Sequence, residues 1–103
     1  MFQRGQIYTW DAGYGEKPWL VVSNNARNRA LQSAVAVRIT SKPKAPLNSH
    51  VVLDNLPGIY GTVICDDFET LYEDDEPPVR YVSSLPPSVM EEVNHALRVA
   101  LAL

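Results

Sequence analysis

Short runs of β-type character dominate the chain. Gln6–Trp10 predicts a first strand, with Ile7 and Tyr8 of high β propensity. Asp11–Lys17 contains Gly13 and Gly15 and predicts a hairpin loop. Pro18–Ser23 (PWLVVS) is apolar almost throughout, the pattern of a central strand buried on both faces. In Ala34–Ser41 (AVAVRITS), Val35, Val37 and Ile39 share one face while Arg38 and Thr40 share the other. Further short strands are predicted at His50–Leu53, Gly61–Asp66, Glu69–Leu71 and Arg80–Ser83. Pro-rich and acidic stretches at 42–46 (KPKAP) and 73–78 (EDDEPP) read as loops, because proline removes a backbone donor and fixes φ.

Two segments switch to helical periodicity. Asn24–Leu31 is short, with Asn24 as its cap. Pro87–Leu101 is longer and starts on a proline, which suits the first helical position. Ser88 and Glu91 have capping-box spacing. Val89, Val93, Ala96, Leu97, Ala100 and Leu101 fall on one helical face, which requires a sheet or a second subunit to cover it. Six or so strands and one C-terminal helix predict a mainly β fold, a small curved antiparallel barrel, as a single domain over 1–103. A core this small is marginal alone and favours dimerisation.

Composition adds exclusions. With 46% apolar and 20% charged residues the chain is an ordinary globular one, so disorder is not expected. No apolar run approaches the roughly 20 residues needed to span a bilayer. The N-terminus, MFQRGQIYTWD, lacks the apolar segment of a signal peptide. Cys65 is the only cysteine, so no internal disulfide forms, and a cytoplasmic location is expected. The net charge of −3 conceals an asymmetry: residues 1–50 hold seven basic and two acidic side chains, residues 51–103 two basic and ten acidic. A basic half binds phosphates even when the total is negative, because binding responds to local potential. Interleaving of the halves on folding is the competing reading.

The familiar catalytic constellations are missing. Cys65 sits in the apolar run Val63-Ile64-Cys65 and reads as an inert core thiol. His50 and His95 have no nearby ligand or triad partner in sequence, and no serine has a nucleophile-elbow setting. Asp66 and Asp67 are adjacent on a strand and project to opposite faces, which disfavours a shared metal. No Gly-rich phosphate loop precedes a helix. What remains is basic and aromatic: Tyr14, Lys17 and Trp19 around the first loop, Thr40, Ser41, Lys42 and Lys44 at the end of a strand, with Arg4, Arg27, Arg29 and Arg38. Cations that hold phosphates and rings that stack on bases are what single-stranded nucleic acid requires. A core role for Trp19, and carboxylate pairing that holds the short helix for Arg27 and Arg29, are the bland alternatives.

The blocks Arg4-Gly5-Gln6-Ile7-Tyr8, Lys17-Pro18-Trp19-Leu20-Val21-Val22-Ser23-Asn24, Asn28-Arg29, Arg38-Ile39-Thr40-Ser41, GTVICDDFETL (61–71) and VMEEVNHAL (89–97) resemble, in order and spacing, the signatures of the MazF/PemK toxin family. The stretch GYGEKPWLVVSNNARNR is similar to its mycobacterial and actinobacterial branch. The resemblance implies an SH3-like barrel with a C-terminal helix, assembled as a homodimer. It implies a metal-independent, cofactor-free endoribonuclease that cuts single-stranded RNA. The 2′-hydroxyl attacks the adjacent phosphate and leaves a 2′,3′-cyclic phosphate and a 5′-hydroxyl. A MazE-like antitoxin is the implied protein partner, laid across the RNA groove.

Carried over position by position, Lys17 stands where the family usually has an arginine before the proline, and Thr40 is the threonine of the strand-end motif. Lys17 is expected to neutralise charge on the scissile phosphate and protonate the leaving 5′-oxygen. Thr40 is expected to donate to a non-bridging oxygen. Ser41, Tyr14, Trp19, Arg38 and Lys42 are expected to contact the substrate. Asn24, Asn28 and Arg29 are expected mainly to support the fold. Lysine presents a point charge where arginine presents a planar fork, and the substitution leaves the general base unassigned. Two other readings compete. A CcdB-like gyrase poison on the same barrel is disfavoured by the ending Ala100-Leu101-Ala102-Leu103, and a non-catalytic SH3-like binding module by the retention of Lys17 and Thr40.

Overall fold

A computed structural model describes residues 1–42, 45–54 and 56–103. Six strands and two helices follow one another as β1 (Gln6–Asp11), β2 (Glu16–Val21), α1 (Asn25–Leu31), β3 (Ser33–Thr40), β4 (His50–Val52), β5 (Thr62–Tyr72), β6 (Arg80–Ser84) and α2 (Pro87–Leu101). The strands form one antiparallel sheet in the order β4-β5-β3-β2-β1-β6. The expected mainly β architecture with a C-terminal helix is present.

Strand alternation divides the apolar residues between two faces of the sheet. Ile7, Leu20, Val37, Ile39, Val51, Val63 and Cys65 lie on one face, where Met90, Val93 and Ala96 of α2 cover them. Tyr8, Trp19, Val21, Ala34, Ala36 and Leu71 pack on the other, with Phe2 from the N-terminal segment. Phe2 and Tyr8 meet edge to face at 5.0 Å, a favoured aromatic geometry.

Four expectations are corrected. The segments Gly61–Asp66 and Glu69–Leu71 are parts of one strand, β5. Its register against β3 jumps from Val37↔Phe68 to Arg38↔Ile64, so Cys65, Asp66 and Asp67 bulge and the strand bends without ending. The first hairpin is tighter than expected: Asp11 pairs with Glu16, and Glu16 and Lys17 belong to β2. Asp11 Oδ1 draws the turn together by accepting the backbone N–H groups of Gly13 (2.7 Å) and Gly15 (3.0 Å). Both glycines have positive φ, 111° and 94°, which side chains rarely tolerate. In α2 the cap is Pro86, with no side-chain cap bond. Ser88 thus lies inside the first turn and the expected capping box does not form, because the helix starts at Pro87, as its position predicts, one residue ahead of Ser88. Finally, the apolar face of α2 includes the buried Met90, whereas Leu101 is half exposed, since the helix packs on β4 and β5 through its earlier turns.

The junction after β2 is held by polar bonds. Asn28 is completely buried. Ser23 Oγ donates to its Oδ1 (2.5 Å) and its Nδ2 donates to the Ser23 carbonyl (3.1 Å), while Val35 N–H donates to Ser23 Oγ (2.9 Å). Asn24 Oδ1 caps α1 by accepting Arg27 N–H at 2.8 Å, as its sequence position predicts. No helix among the described residues is long and apolar enough to cross a membrane.

Candidate active-site groove

The β2–β3 ladder runs Val21↔Ala36, Leu20↔Val37, Trp19↔Arg38, and stops there. Both strands continue past it. Pro18 is the first β2 residue beyond the ladder, where a missing backbone N–H costs no bond to β3. Beyond this point the strands part, and an open groove of about 430 Å³ forms. Its apolar lining is Ile7, Pro18, Ile39 and Val82 from four neighbouring strands, with Gly58, Ile59 and Tyr60 from the β4–β5 connection. Its polar lining is Glu16, Lys17, Arg38, Thr40, Ser41 and Lys42.

Continuing the ladder register by two residues sets Lys17 opposite Thr40, on one face. One residue further sets Glu16 opposite Ser41, on the other. Thr40 is nearly buried, and its Oγ1 accepts Lys42 N–H at 3.2 Å. One of the hydroxyl's two acceptor sites is thereby used, and the hydroxyl proton remains free to donate. Gly61 brings the β4–β5 connection against this strand end. A Cβ there would lie 2.6 Å from the Thr40 carbonyl oxygen, and φ is 119°, so no other residue fits without displacing Thr40.

Electrostatics sort the cations. Arg38 Nε lies 2.8 Å from Asp67 Oδ2, too far off the N–H direction for a directed hydrogen bond. Its charge in the groove is thus offset in part by a carboxylate from the β5 bulge, in a partly exposed contact that solvent screens. Among the described residues neither Lys17 nor Lys42 has an ion-pair partner. Arg4 and Arg27 are tied elsewhere. Arg4 Nε donates to the Val22 carbonyl (2.8 Å) and its guanidinium bonds Asn94. Arg27 donates to the Ser33 carbonyl at 3.1 Å. Arg27 therefore holds α1 through a backbone carbonyl and not through the carboxylate expected for it, and Arg29 is exposed.

Of the residues singled out from sequence, Lys17, Arg38, Thr40, Ser41 and Lys42 converge on the groove. Tyr14 stands at the hairpin tip, 84% exposed and outside the groove lining. Trp19 is 5% exposed and belongs to the core cluster with Tyr8, Val21, Ala36 and Leu71, so its ring offers no open face to a base. Lys44 lies outside the described residues. Sequence reasoning missed Glu16, Tyr60 and Val82. Strand alternation from Pro18 back to Glu16 marks the first, but assigning Glu16 to a loop hid it.

The remaining reactive groups stand apart. Cys65 is buried, and burial, helped by Asp66, pushes its thiol up to about 11. Its thiolate is scarce at neutral pH, as expected for a core cysteine. The described residues bring together no group of three or more His, Cys, Asp or Glu able to hold a metal ion.

Comparison with known proteins decides the family. Residues 3–101 match the family described as PemK-like, MazF-like toxin of type II toxin-antitoxin system. The chain belongs to the PemK/MazF toxin family. It is 42% identical over 100 residues to Endoribonuclease MazF4 of Mycobacterium tuberculosis, covering 97% of this chain and 92% of that one. Endoribonuclease MazF1 of Mycobacterium bovis matches to the same extent. Among solved structures, a mycobacterial endoribonuclease in complex with its cognate antitoxin superposes with a TM-score of 0.90 at 40% identity, covering 100% of this chain and 97% of that one. MazF of Deinococcus radiodurans, at 23% identity and a TM-score of 0.82 over 99% and 97% of the two chains, shows the shared PemK/MazF fold.

Proposed function

We propose that this chain is the toxin of a type II toxin–antitoxin pair, an endoribonuclease that cuts single-stranded RNA at the groove where β2 and β3 part. The carrying observation is the groove itself: Lys17 and Thr40 belong to the ends of β2 and β3 just past their last ladder pair, and both line it. Similarity to mycobacterial endoribonucleases over nearly the whole chain supports the activity. In this proposal Lys17 and Thr40 are the catalytic pair.

In this reading the substrate supplies the nucleophile. The 2′-hydroxyl loses its proton, its oxygen bonds to the adjacent phosphorus, and the bond to the 5′-oxygen breaks. The products are a 2′,3′-cyclic phosphate and a 5′-hydroxyl. Lys17 carries a full positive charge on a flexible stem, suited to the phosphate charge that grows in the transition state and to protonating the departing 5′-oxygen. Thr40 donates its free hydroxyl proton to a non-bridging oxygen. Ser41, Lys42 and Arg38 extend phosphate contact along the strand end. No step in this reading requires a metal or cofactor.

Two further features belong to this reading. A cognate antitoxin binds this chain, as one binds the similar mycobacterial endoribonuclease, and in this reading it covers the same groove. The toxin acts as a cytoplasmic homodimer. Leu31, Val99, Leu101 and Leu103 are exposed apolar groups, and a sheet with so small a core gains from a second copy. The test is incubation of antitoxin-free protein with a long single-stranded RNA in excess EDTA, with the cut ends mapped. Cuts at a recurring short motif are expected. Intact RNA, or cutting only after a divalent metal is restored, contradicts the proposal.

A further inference from the structure

The groove contains proton donors in excess. Lys17, Lys42 and Arg38 present N–H donors, and Thr40, Ser41 and Tyr60 present hydroxyls. None is an obvious acceptor for a proton from a 2′-hydroxyl. Glu16 is the only carboxylate among the described lining residues. It is exposed at the first position of β2 and has no ion-pair partner among the described residues.

Stability does not explain it. Glu16 stands directly opposite Asp11 of β1, and like charges in that position are unfavourable. Asp11 is engaged with the turn amides, while the Glu16 carboxylate is engaged with nothing described. Geometry gives it a use. Attack and departure at phosphorus lie roughly in line, so the proton acceptor and the proton donor are separate groups. Glu16 and Lys17 are consecutive at the point where the ladder has ended, and both line the groove, so one carboxylate and one cation stand at the same edge of it.

We propose that Glu16 is the general base of the cleavage reaction. It accepts the 2′-hydroxyl proton as the 2′-oxygen–phosphorus bond forms, while Lys17 gives a proton to the 5′-oxygen as that bond breaks. Water then returns the proton from the Glu16 carboxyl to the Lys17 amine, and the site is reset. This inference rests on the transesterification proposed above.

The experiment measures single-turnover cleavage of a short single-stranded RNA containing a mapped cut site, across pH, for wild type and Glu16→Gln. The exchange preserves shape and removes the base, and exposure of the site leaves folding intact, which a melting curve checks. The charged and titratable groups around Glu16 are Asp11, its partner on β1, and Lys17, Arg38, Lys42 and Tyr60, which line the same groove. Their titration is common to both proteins, so the difference between profiles isolates Glu16.

The variant is expected to cut about 10²- to 10⁴-fold more slowly, the usual range for a lost general base. Its affinity for the RNA should be unchanged or tighter, because a negative charge has gone. The fall in rate toward acid pH expected for wild type should flatten. A second readout uses an RNA whose 5′-bridging oxygen at the cut site is sulfur, a leaving group that needs no proton. It should rescue Lys17→Ala and leave Glu16→Gln slow. A Glu16→Gln rate within about threefold of wild type, a loss confined to RNA affinity, or rescue by the sulfur substrate overturns the assignment. Wild type that cuts normally while Glu16→Gln is unimpaired refutes only this inference. Wild type that does not cut refutes the reading on which it rests.

Discussion

Thr40→Val exchanges a hydroxyl for a methyl group at nearly constant volume, at a site only 9% exposed. Two consequences separate cleanly. In the fold, Lys42 N–H loses an acceptor at 3.2 Å. Lys42 is exposed, so water replaces that acceptor, and the cost stays near the bottom of the range for a single hydrogen bond, about 0.5–1 kcal/mol. For a domain of this size that lowers the melting temperature by roughly 2–8 °C. In the reaction, a preorganised donor to the phosphate oxygen disappears, worth about 10²- to 10³-fold in rate, or about 2.7–4 kcal/mol. The assay pairs a thermal melt with single-turnover cleavage at saturating protein, so that weaker RNA binding does not contribute. Thr40→Ser restores the hydroxyl and should recover most of the rate. The reasoning is refuted if Thr40→Val cuts at the wild-type rate, or if Thr40→Ser is as slow as Thr40→Val while both remain folded.

Other consequences follow from the same geometry. Lys17→Ala should lose at least 10²-fold in cleavage with its melting temperature within about 3 °C of wild type, since the side chain is partly exposed and unpaired; a large loss of stability would make it a structural residue. Asn28→Ala removes two hydrogen bonds to Ser23 from a fully buried site and should cost about 2–4 kcal/mol, read from denaturant unfolding; a cost below about 1 kcal/mol contradicts the account of that junction. Cys65 should resist alkylation in the native protein at pH 7. Its thiol is raised in the fold from the ordinary 9.0 to about 11, so the protonated form stabilises the native state, and that contribution is complete below pH 9 and is lost between pH 9 and about 11. Cys65→Ala should accordingly show a shallower loss of stability over that interval, followed by urea unfolding at each pH.

The sequence exposed those features whose cause is local. Alternation in AVAVRITS placed Arg38 and Thr40 together on one face, and the structure keeps them there. Asn24 was recognisable as a cap because its side chain bonds three residues away. The features that were not legible depend on distant strands. The β5 bulge arises from register against β3, which no stretch of β5 alone reveals. Two glycines before Lys17 suggested a loop through it, yet the turn closes at Gly15 because Asp11 gathers both amides. That one displacement put Glu16 on a strand and into the groove. Trp19 looked equally suited to stacking and to the core, and only the packing of Val21, Ala36 and Leu71 on the same face settles its burial. Likewise, nothing around Arg38 in sequence points to Asp67, which reaches it through the bulge.

The central claim is that the RNA supplies its own nucleophile and the groove supplies proton transfer and charge. The most direct measurement uses two otherwise identical oligonucleotides bearing the mapped cut site, one all-ribose and one with a single 2′-deoxy nucleotide on the 5′ side of the scissile phosphate. The account predicts that the all-ribose strand yields a 2′,3′-cyclic phosphate and a 5′-hydroxyl, and that the deoxy strand binds and stays intact. Cleavage of the deoxy strand at the same phosphate would contradict it, because the attacking oxygen would then have to come from water or from the protein.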